Sequence, residues 1–216
     1  MLSLLASSLP LHTSPEARLL ALQSVLRCNA DGSLVLPHGL IRGMNLGDPG
    51  PLWQELLAAR WIRSVTPTPP GMQAQLNDPL IGLPGRSPRS QAAHWALLEL
   101  SPGSSLRHTN PASRLAMVTL QAHTQPSLRN GAADSHTLAR MCGMALHRLL
   151  VAAQDLLDSG MLQSCSLASG EDLAWSWPDT SLLRKGTRTG HRRTLQDPEN
   201  RDPLPAEAAV VVRPGL

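Results

Sequence analysis

The sequence predicts a mainly α-helical chain with small β-hairpins, an α+β class in which one module occurs twice in tandem. The main observation is a repeat of twelve residues, in which 54–65 align with 154–165 at an offset of 100 (154 minus 54). A second observation is that each copy ends an amphipathic helix, breaks tightly and begins a short strand. A supersecondary unit used twice constrains the whole chain more than any local motif.

The match extends upstream with a slightly different register. Residues 38–42 align with 136–140 through a shared histidine, leucine and arginine at an offset of 98 (136 minus 38), and the same offset aligns Leu19 with Met117. The second copy is therefore expected to carry two extra residues between its second and third helical segments.

The first copy contains clear start and stop signals. Ser14-Pro15-Glu16 predicts a helix that runs to about Arg27, because it combines a capping residue, a proline in the first turn and an acid near the positive helix end. The predicted elements that follow are a short strand at 34–36, a helix from Pro37 to about Leu46, a helix from Asp48-Pro49 to about Arg60, and strands at 61–65 and 72–76.

The second copy repeats this order after a linker. Residues 77–89 are rich in Pro, Gly and Ser, and a helix is predicted around 91–100. The second copy is predicted as a helix at 112–123, a loop at 125–133, helices at 134–142 and 145–159, and strands at 161–167 and 172–177. The predicted organisation is therefore a loosely structured N-terminal segment (1–13), a first domain (14–77), a linker with one helix (78–111), a second domain (112–178) and a basic, disordered tail (179–216).

Composition narrows the environment of the chain. It contains no Phe or Tyr but five Trp, so the core is expected to be aliphatic with tryptophan as its only bulky element. Three widely spaced cysteines favour free thiols in a reducing compartment. No apolar run reaches the roughly 20 residues of a membrane span, and the apolar start lacks a basic region, so we expect a cytoplasmic protein without a membrane partner.

Positive charge is concentrated near the C-terminus. The net charge is +3, and residues 181–216 alone hold seven basic and four acidic groups, which also gives +3. Such a run is usually a solvated tail, but it can also hold the phosphates of a polyanion. Its basic cluster consists of Arg184, Lys185, Arg188, Arg192 and Arg193.

The order helix, helix, helix, hairpin, present twice and with a short strand after the first helix of the first copy, resembles the winged helix-turn-helix superfamily over about 15–77 and 112–178. The resemblance implies two tandem winged-helix domains whose third helix enters the DNA major groove. Matched onto this sequence, it implies DNA contacts from Arg42, Asn45 and Gln54 in the first unit and from Arg140, His147 and Arg148 in the second. The basic cluster of the tail would assist them, and Gln154 is a further candidate beside them.

These features predict a protein that binds double-stranded DNA, most simply a transcriptional regulator. The third helix of the first unit is acidic at Asp48 and Glu55, and neither hairpin tip carries Arg or Lys. The alternative is therefore a non-enzymatic adaptor that docks proteins, as tandem winged helices do in chromosome segregation and plasmid replication. A protein partner or a homodimer remains open.

Several residues have competing interpretations. His38 and His136 suit helix surfaces or caps, and the spacing of His136, Cys142 and His147 matches no familiar zinc signature. Cys142 and Cys165 suit small buried positions. Trp175 and Trp177 share one face of a strand, which predicts core packing or a partner-binding patch. Phosphate loops, dinucleotide glycine motifs and nucleophile elbows are absent from the sequence, so we expect no enzyme, no cofactor and no metal.

Overall fold

Two copies of a helix–strand–helix–helix–hairpin unit account for most of the residues that the computed structural model describes, namely 1–77, 84–98, 110–167 and 171–179. A short helix, α1 (Leu2–Ser8), precedes the first copy, and α5 (Arg86–Leu98) lies between the copies. The first copy comprises α2 (Pro15–Arg27), β1 (Ser33–Pro37), α3 (His38–Gly43), α4 (Pro49–Ala58), β2 (Ile62–Thr68) and β3 (Gly71–Leu76). The second comprises α6 (Pro111–Ala122), β4 (Asn130–Asp134), α7 (Ser135–Cys142), α8 (Leu146–Asp158), β5 (Ser164–Leu167) and β6 (Asp172–Ser176).

Both copies fold their strands into a three-stranded antiparallel sheet of the same order. The first sheet has the order β1-β3-β2 and the second β4-β6-β5, so the last strand is central in each. Ala74 in the central strand of the first sheet pairs with Leu34 and Val65, and Ala174 in the second pairs with Ala132 and Ser166. The predicted α+β class is thus confirmed.

The first helix of each copy begins at a side-chain cap. The Ser14 hydroxyl accepts a hydrogen bond from the Ala17 amide, and the Asn110 carboxamide accepts one from the Ser113 amide. Both caps are followed by proline, which has no amide hydrogen to satisfy. The caps stand at an offset of 96 (110 minus 14), so the offset of 98 predicted for this helix was wrong by two residues.

The two extra residues of the second copy lie within its second helix. Helix α3 has six residues and α7 has eight. The residues just before the two helices, Pro37 and Asp134, differ in number by 97. The residues just after them, Met44 and Gly143, differ by 99, so the second helix contains two more residues. Helix α3 also ends at Gly43 rather than near Leu46, because Asn45 and Gly47 adopt positive φ values of 56° and 71°.

The N-terminal segment is helical, which corrects the expectation of a loose start. In α1, Leu2 and Leu5 are buried, and Leu9 follows them into the core. Their spacing places the three leucines on one helical face. The buried side chain of Arg18 stabilises this short helix by donating hydrogen bonds at its C-terminal end. The apolar periodicity of the sequence does not reveal this contact.

The predicted loop at 125–133 was also wrong, because Asn130–Asp134 forms strand β4. Its sequence, Asn-Gly-Ala-Ala-Asp, has no β-branched or aromatic residue and therefore gives no strand signal. Small residues are required there: a Cβ atom on Gly131 would stand 2.4 Å from Cζ2 of Trp175. Alignment of the copies would have found this strand, since β1 occupies the equivalent place.

The helix between the copies begins earlier than predicted, at Arg86 rather than near Gln91. Pro88 lies in the first turn of this helix, where backbone amides have no partner within the helix, so the missing amide hydrogen does not destabilise it. The proline therefore belongs to the helix and not to a linker. The segments 78–83 and 99–109, which the predicted linker and helix partly cover, lie outside the described residues.

Helices α2 and α6 pack against each other at the centre of a single apolar core. Leu19, Leu20 and Leu115 are fully buried there. The tryptophans are the bulky elements of this core, as predicted, except that Trp95 is half-exposed. Trp175 and Trp177 are buried and both donate an Nε1 hydrogen bond to Thr124 Oγ1, at 3.0 and 2.8 Å. This placement excludes the partner-binding patch considered for them.

Among the described residues, no helix has both the length and the apolar character that crossing a membrane requires.

Candidate nucleic-acid interface

Two buried arginines hold the copies together in a reciprocal way. Arg114, from the first helix of the second copy, donates from Nη1 to the Gly43 carbonyl of the first copy at 2.9 Å. Arg18, from the first helix of the first copy, lies against Gly143 of the second copy. The two arginines stand at an offset of 96 and the two glycines at an offset of 100. Both third helices thus belong to one compact unit, Met1–Pro178.

Arg18 also organises the N-terminal segment. Its guanidinium donates to the carbonyl oxygens of Leu5, Leu9, Pro10 and Thr13, with the shortest contact, to Pro10, at 2.7 Å. Burial lowers the pKa of Arg18, and the neighbouring Cys142 and Glu55 act in the opposite direction. The positive charge is placed at the carbonyl end of α1, where the helix dipole favours it.

One acid of each third helix, Glu55 in α4 and Asp155 in α8, bonds to the first helix of its copy. Glu55 accepts hydrogen bonds from the backbone amide and the hydroxyl of Ser14, the latter at 2.7 Å. Asp155, its counterpart in the repeat, accepts from Asn110 at 3.0 Å and from Ser113 at 2.9 Å. The acid of the repeated Gln-Glu/Asp-Leu-Leu pattern therefore links the third helix to the start of the first helix by hydrogen bonds in both copies.

The hydrogen bond between Ser14 and Glu55 changes which acids lie on the predicted contact surface. Glu55 was expected to place negative charge on the outer face of the first third helix, α4, but it is half-buried and bonded to Ser14. Asp48 caps the same helix, with Oδ1 accepting from the Gly50 amide at 2.9 Å. Glu55 is therefore turned toward Ser14, whereas Asp48 stays exposed at the start of α4 and keeps its negative charge there.

The outer face of α8 combines positive charge, an apolar group and an amide. His147, Arg148, Val151 and Gln154 are exposed and recur at helical spacing along one side. Val151 is 61% exposed, which is unusual for valine. The sequence reasoning missed it, although its position one turn after His147 and Arg148 was readable. Gln154 Nε2 donates to Asp158 Oδ1 at 2.7 Å.

The corresponding face of α4 is neutral. Pro51 and Gln54 are exposed along it, and no Arg, Lys or His lies on the helix. Asn45 is exposed but lies in the turn between α3 and α4, ahead of the third helix. The two copies thus share a topology but present different surfaces.

Arg42 and Arg140 lie at equivalent places in the second helices. Each is exposed in the last turn of its helix, α3 or α7. His136, at the start of α7, has its Nε2 3.7 Å from a carboxylate oxygen of Glu171, and both side chains are exposed. Asp134 caps α7 and accepts from the Thr137 amide at 2.6 Å, and these hydrogen bonds lower the pKa of Asp134.

The residues weighed as metal ligands are not brought together. Cys142 is fully buried, whereas His136 and His147 are exposed. Within the described part of the chain, no three His, Cys, Asp or Glu side chains are grouped in a way that could hold a metal ion. The basic cluster of the tail, 184–193, and the second hairpin tip, 168–170, lie outside the described residues.

The buried thiol of Cys142 is expected to be inert in the folded protein. Burial raises the pKa of Cys142 to about 11, although the hydrogen bond to Thr119 acts to lower it. The reactive thiolate is therefore scarce at neutral pH. Burial also raises the pKa of the half-exposed Cys165. In timed alkylation with iodoacetamide at neutral pH, read by peptide mass spectrometry, Cys165 should be modified well before Cys142.

The same reaction in denaturant serves as the control, because unfolding should remove the difference between the two thiols. Modification of Cys142 at the rate of Cys165 under native conditions would contradict its buried position.

In comparisons with protein-family models, characterised proteins and solved structures, none matches this chain.

Proposed function

We propose that this chain is a tandem winged-helix protein that binds double-stranded DNA, mainly through its second repeat, and acts as a transcriptional regulator in the cytoplasm. The observation that carries the proposal is the exposed stripe of His147, Arg148, Val151 and Gln154 on the third helix of a unit with the element order of a winged helix.

The chemistry of the stripe suits the edges of base pairs in the major groove. An arginine matches the two acceptors of guanine, a glutamine matches adenine, and an apolar side chain such as Val151 can contact the thymine methyl group. Gln154 would have to exchange its bond to Asp158 for one to a base. Arg148 is then the main candidate for reading sequence, with His147 beside it.

Phosphate contacts would come from the second helices and the tail. Arg140 and Arg42 are exposed next to the third helices, and the tail carries Arg184, Lys185, Arg188, Arg192 and Arg193. Neutralising phosphates supplies most of the sequence-independent affinity for DNA. Asn45 and Gln54 would add only neutral contacts from the first repeat.

The proposal predicts separable effects of two arginine substitutions. Arg140→Ala is expected to weaken binding to all duplexes alike and to lower the salt slope, d log K/d log [salt], by about one unit. Arg148→Ala is expected to cost about 1–3 kcal/mol on a duplex selected from a random library and much less on unselected DNA. Fluorescence anisotropy between about 50 and 200 mM salt measures both quantities.

Arg86→Ala is the matched control, because Arg86 is exposed on α5, outside both repeats. The chain ending at Pro178 separates the contribution of the tail from that of the repeats. If Arg148→Ala and Arg140→Ala bind every duplex as the unaltered chain does, or if no salt-dependent binding occurs, the proposal is wrong.

The neutral face of α4 supports a second candidate function, docking of a protein. Pro51 and Gln54 offer that face no charge to repel an apolar partner. An adaptor would retain a stable protein partner on the chain ending at Pro178, with no DNA bound, and Gln54→Glu would release that partner while Arg148→Ala would not.

A further inference from the structure

An open cavity of about 830 Å³ lies beside the C-terminal end of α2 and along α5, and its described lining includes no residue of the third helices. Its volume falls within the range of roughly 300–1,000 Å³ that is typical of small-molecule sites. It is lined by Arg27, Pro88, Ser90, Gln91, Ala92, His94 and Trp95. Among the described residues, the lining contains a guanidinium, an imidazole and an indole but no carboxylate.

The guanidinium of Arg27 is held in place by Gln23, one helical turn earlier in α2. The buried Gln23 donates from Nε2 to the Ala93 carbonyl at 3.4 Å, which links α2 to α5. The other end of its carboxamide, Oε1, accepts from Arg27 Nε at 3.2 Å. The two Nη groups of Arg27 donate to no residue within the part of the chain that the structure describes. They therefore remain available to an anion in the cavity.

The surroundings favour an anion at this position. Arg27 is half-buried, and this burial lowers its pKa, so the charge has lost part of its hydration. A planar carboxylate can accept two parallel hydrogen bonds from a guanidinium, and such charge-assisted bonds are about twice as strong as neutral ones.

The half-exposed indole of Trp95 supplies the second contact. Its ring lines the same cavity as Arg27 and offers a flat apolar surface on which another ring can stack. His94, exposed on the neighbouring position of α5, adds a hydrogen-bonding group. A cation beside an aromatic surface selects a ligand that carries both a negative group and a ring.

We infer that this cavity binds a small aromatic carboxylate, with the carboxylate on Arg27 and the ring on Trp95. The site lies outside the proposed DNA-contact stripe, so it would provide the protein with a ligand signal in addition to the proposed function. Binding is measurable without DNA, and its failure would leave the proposed function untouched.

Isothermal titration calorimetry of the full chain with indole-3-acetate and with tryptophol tests the inference. Both probes carry the same ring, but tryptophol has a hydroxyl in place of the carboxylate. The acid is expected to bind at least about tenfold more tightly, since a hydrogen-bonded charge is stronger than a neutral contact. This comparison depends on no altered protein.

Two variants locate the site. Arg27→Gln is expected to abolish the preference for the acid, and Trp95→Leu to weaken both probes. Arg86→Gln, on the same helix but outside the lining, is the matched control and should change neither affinity. Circular dichroism melting shows whether the variants fold.

The inference is overturned if the two probes bind equally, if neither binds, or if Arg27→Gln keeps the preference for the acid. It is also overturned if the cavity takes a single-stranded oligothymidylate instead, with Arg27→Gln and Trp95→Leu weakening the oligonucleotide but not indole-3-acetate.

Discussion

Replacing Gly143 with alanine is expected to lower the free energy of unfolding by about 2–5 kcal/mol. Gly143 follows α7 with φ of 63°, a conformation that costs a residue with a Cβ atom about 1–2 kcal/mol. The added methyl group would also stand 1.9 Å from Nε of Arg18, whose side chain is fully buried and bonded to four carbonyls. Overpacking of a rigid site adds about 1–3 kcal/mol.

Gly160→Ala isolates the packing contribution. Gly160 also has a positive φ, 71°, but an added Cβ atom would meet nothing within 4 Å. Its substitution should therefore cost only the backbone contribution of about 1–2 kcal/mol. Urea unfolding followed by circular dichroism gives both values. Equal losses for Gly143→Ala and Gly160→Ala would show that the contact between Arg18 and Gly143 does not limit the packing of the two copies.

Arg18→Met is expected to destabilise the protein by about 3 kcal/mol or more. The Leu5 and Pro10 carbonyls keep the backbone amides of Leu9 and Thr13 as donors, but the Leu9 and Thr13 carbonyls lose the guanidinium, at about 1–3 kcal/mol each. The guanidinium of Arg18 serves the carbonyls of Leu5, Leu9, Pro10 and Thr13 at once. Methionine fills a similar volume without offering a donor. Helix α1 should be released first, since these bonds close its C-terminal end.

Hydrogen–deuterium exchange provides the second measurement for Arg18→Met. The amides of Leu5 and Leu9, which donate to Met1 and Leu5 in α1, should lose protection even where the rest of the fold persists. Arg86→Met, at an exposed arginine, should change stability by less than about 0.5 kcal/mol. Unchanged protection of α1 in Arg18→Met would mean that apolar packing of its leucines alone holds the helix.

The helices and hairpins were predictable because their signals are local. Ser14-Pro15 marks the start of α2, and its predicted span to Arg27 is confirmed. Asp48-Pro49 marks the start of α4 in the same way. The hairpin strands also lie near their predicted positions, because the turn residues that separate them are a local signal.

Strand β4 escaped prediction because its partner strand lies far along the chain, and helix α1 because its partner is a buried arginine. Ala132 is a strand residue only through its pairing with Ala174, and Gly131 is small because Trp175 occupies the space above it. Helix α1 depends on a buried arginine, and arginine usually indicates a surface in sequence reasoning. Tertiary partners override local propensity in both cases.

The candidate interface was predictable in position but not in charge. The resemblance implied contacts from His147 and Arg148 on the third helix of the second copy, and both side chains are exposed there. The orientation of Glu55 was not predictable, because nothing in the sequence links it to Ser14, which lies 41 residues away. The cavity at Arg27 and Trp95 was missed for the same reason, since two helices distant in sequence create it.

The exchanged arginines have the reciprocity of an interface between two identical subunits, in which the same patch serves on both sides. A separate copy of this module could make the same contacts only with a second molecule, and that pairing would depend on concentration. Here Arg18 and Arg114 meet their glycines inside a single chain. Dilution therefore leaves the contact between the two copies intact. Each copy can change its outer surface without losing its contact with the other.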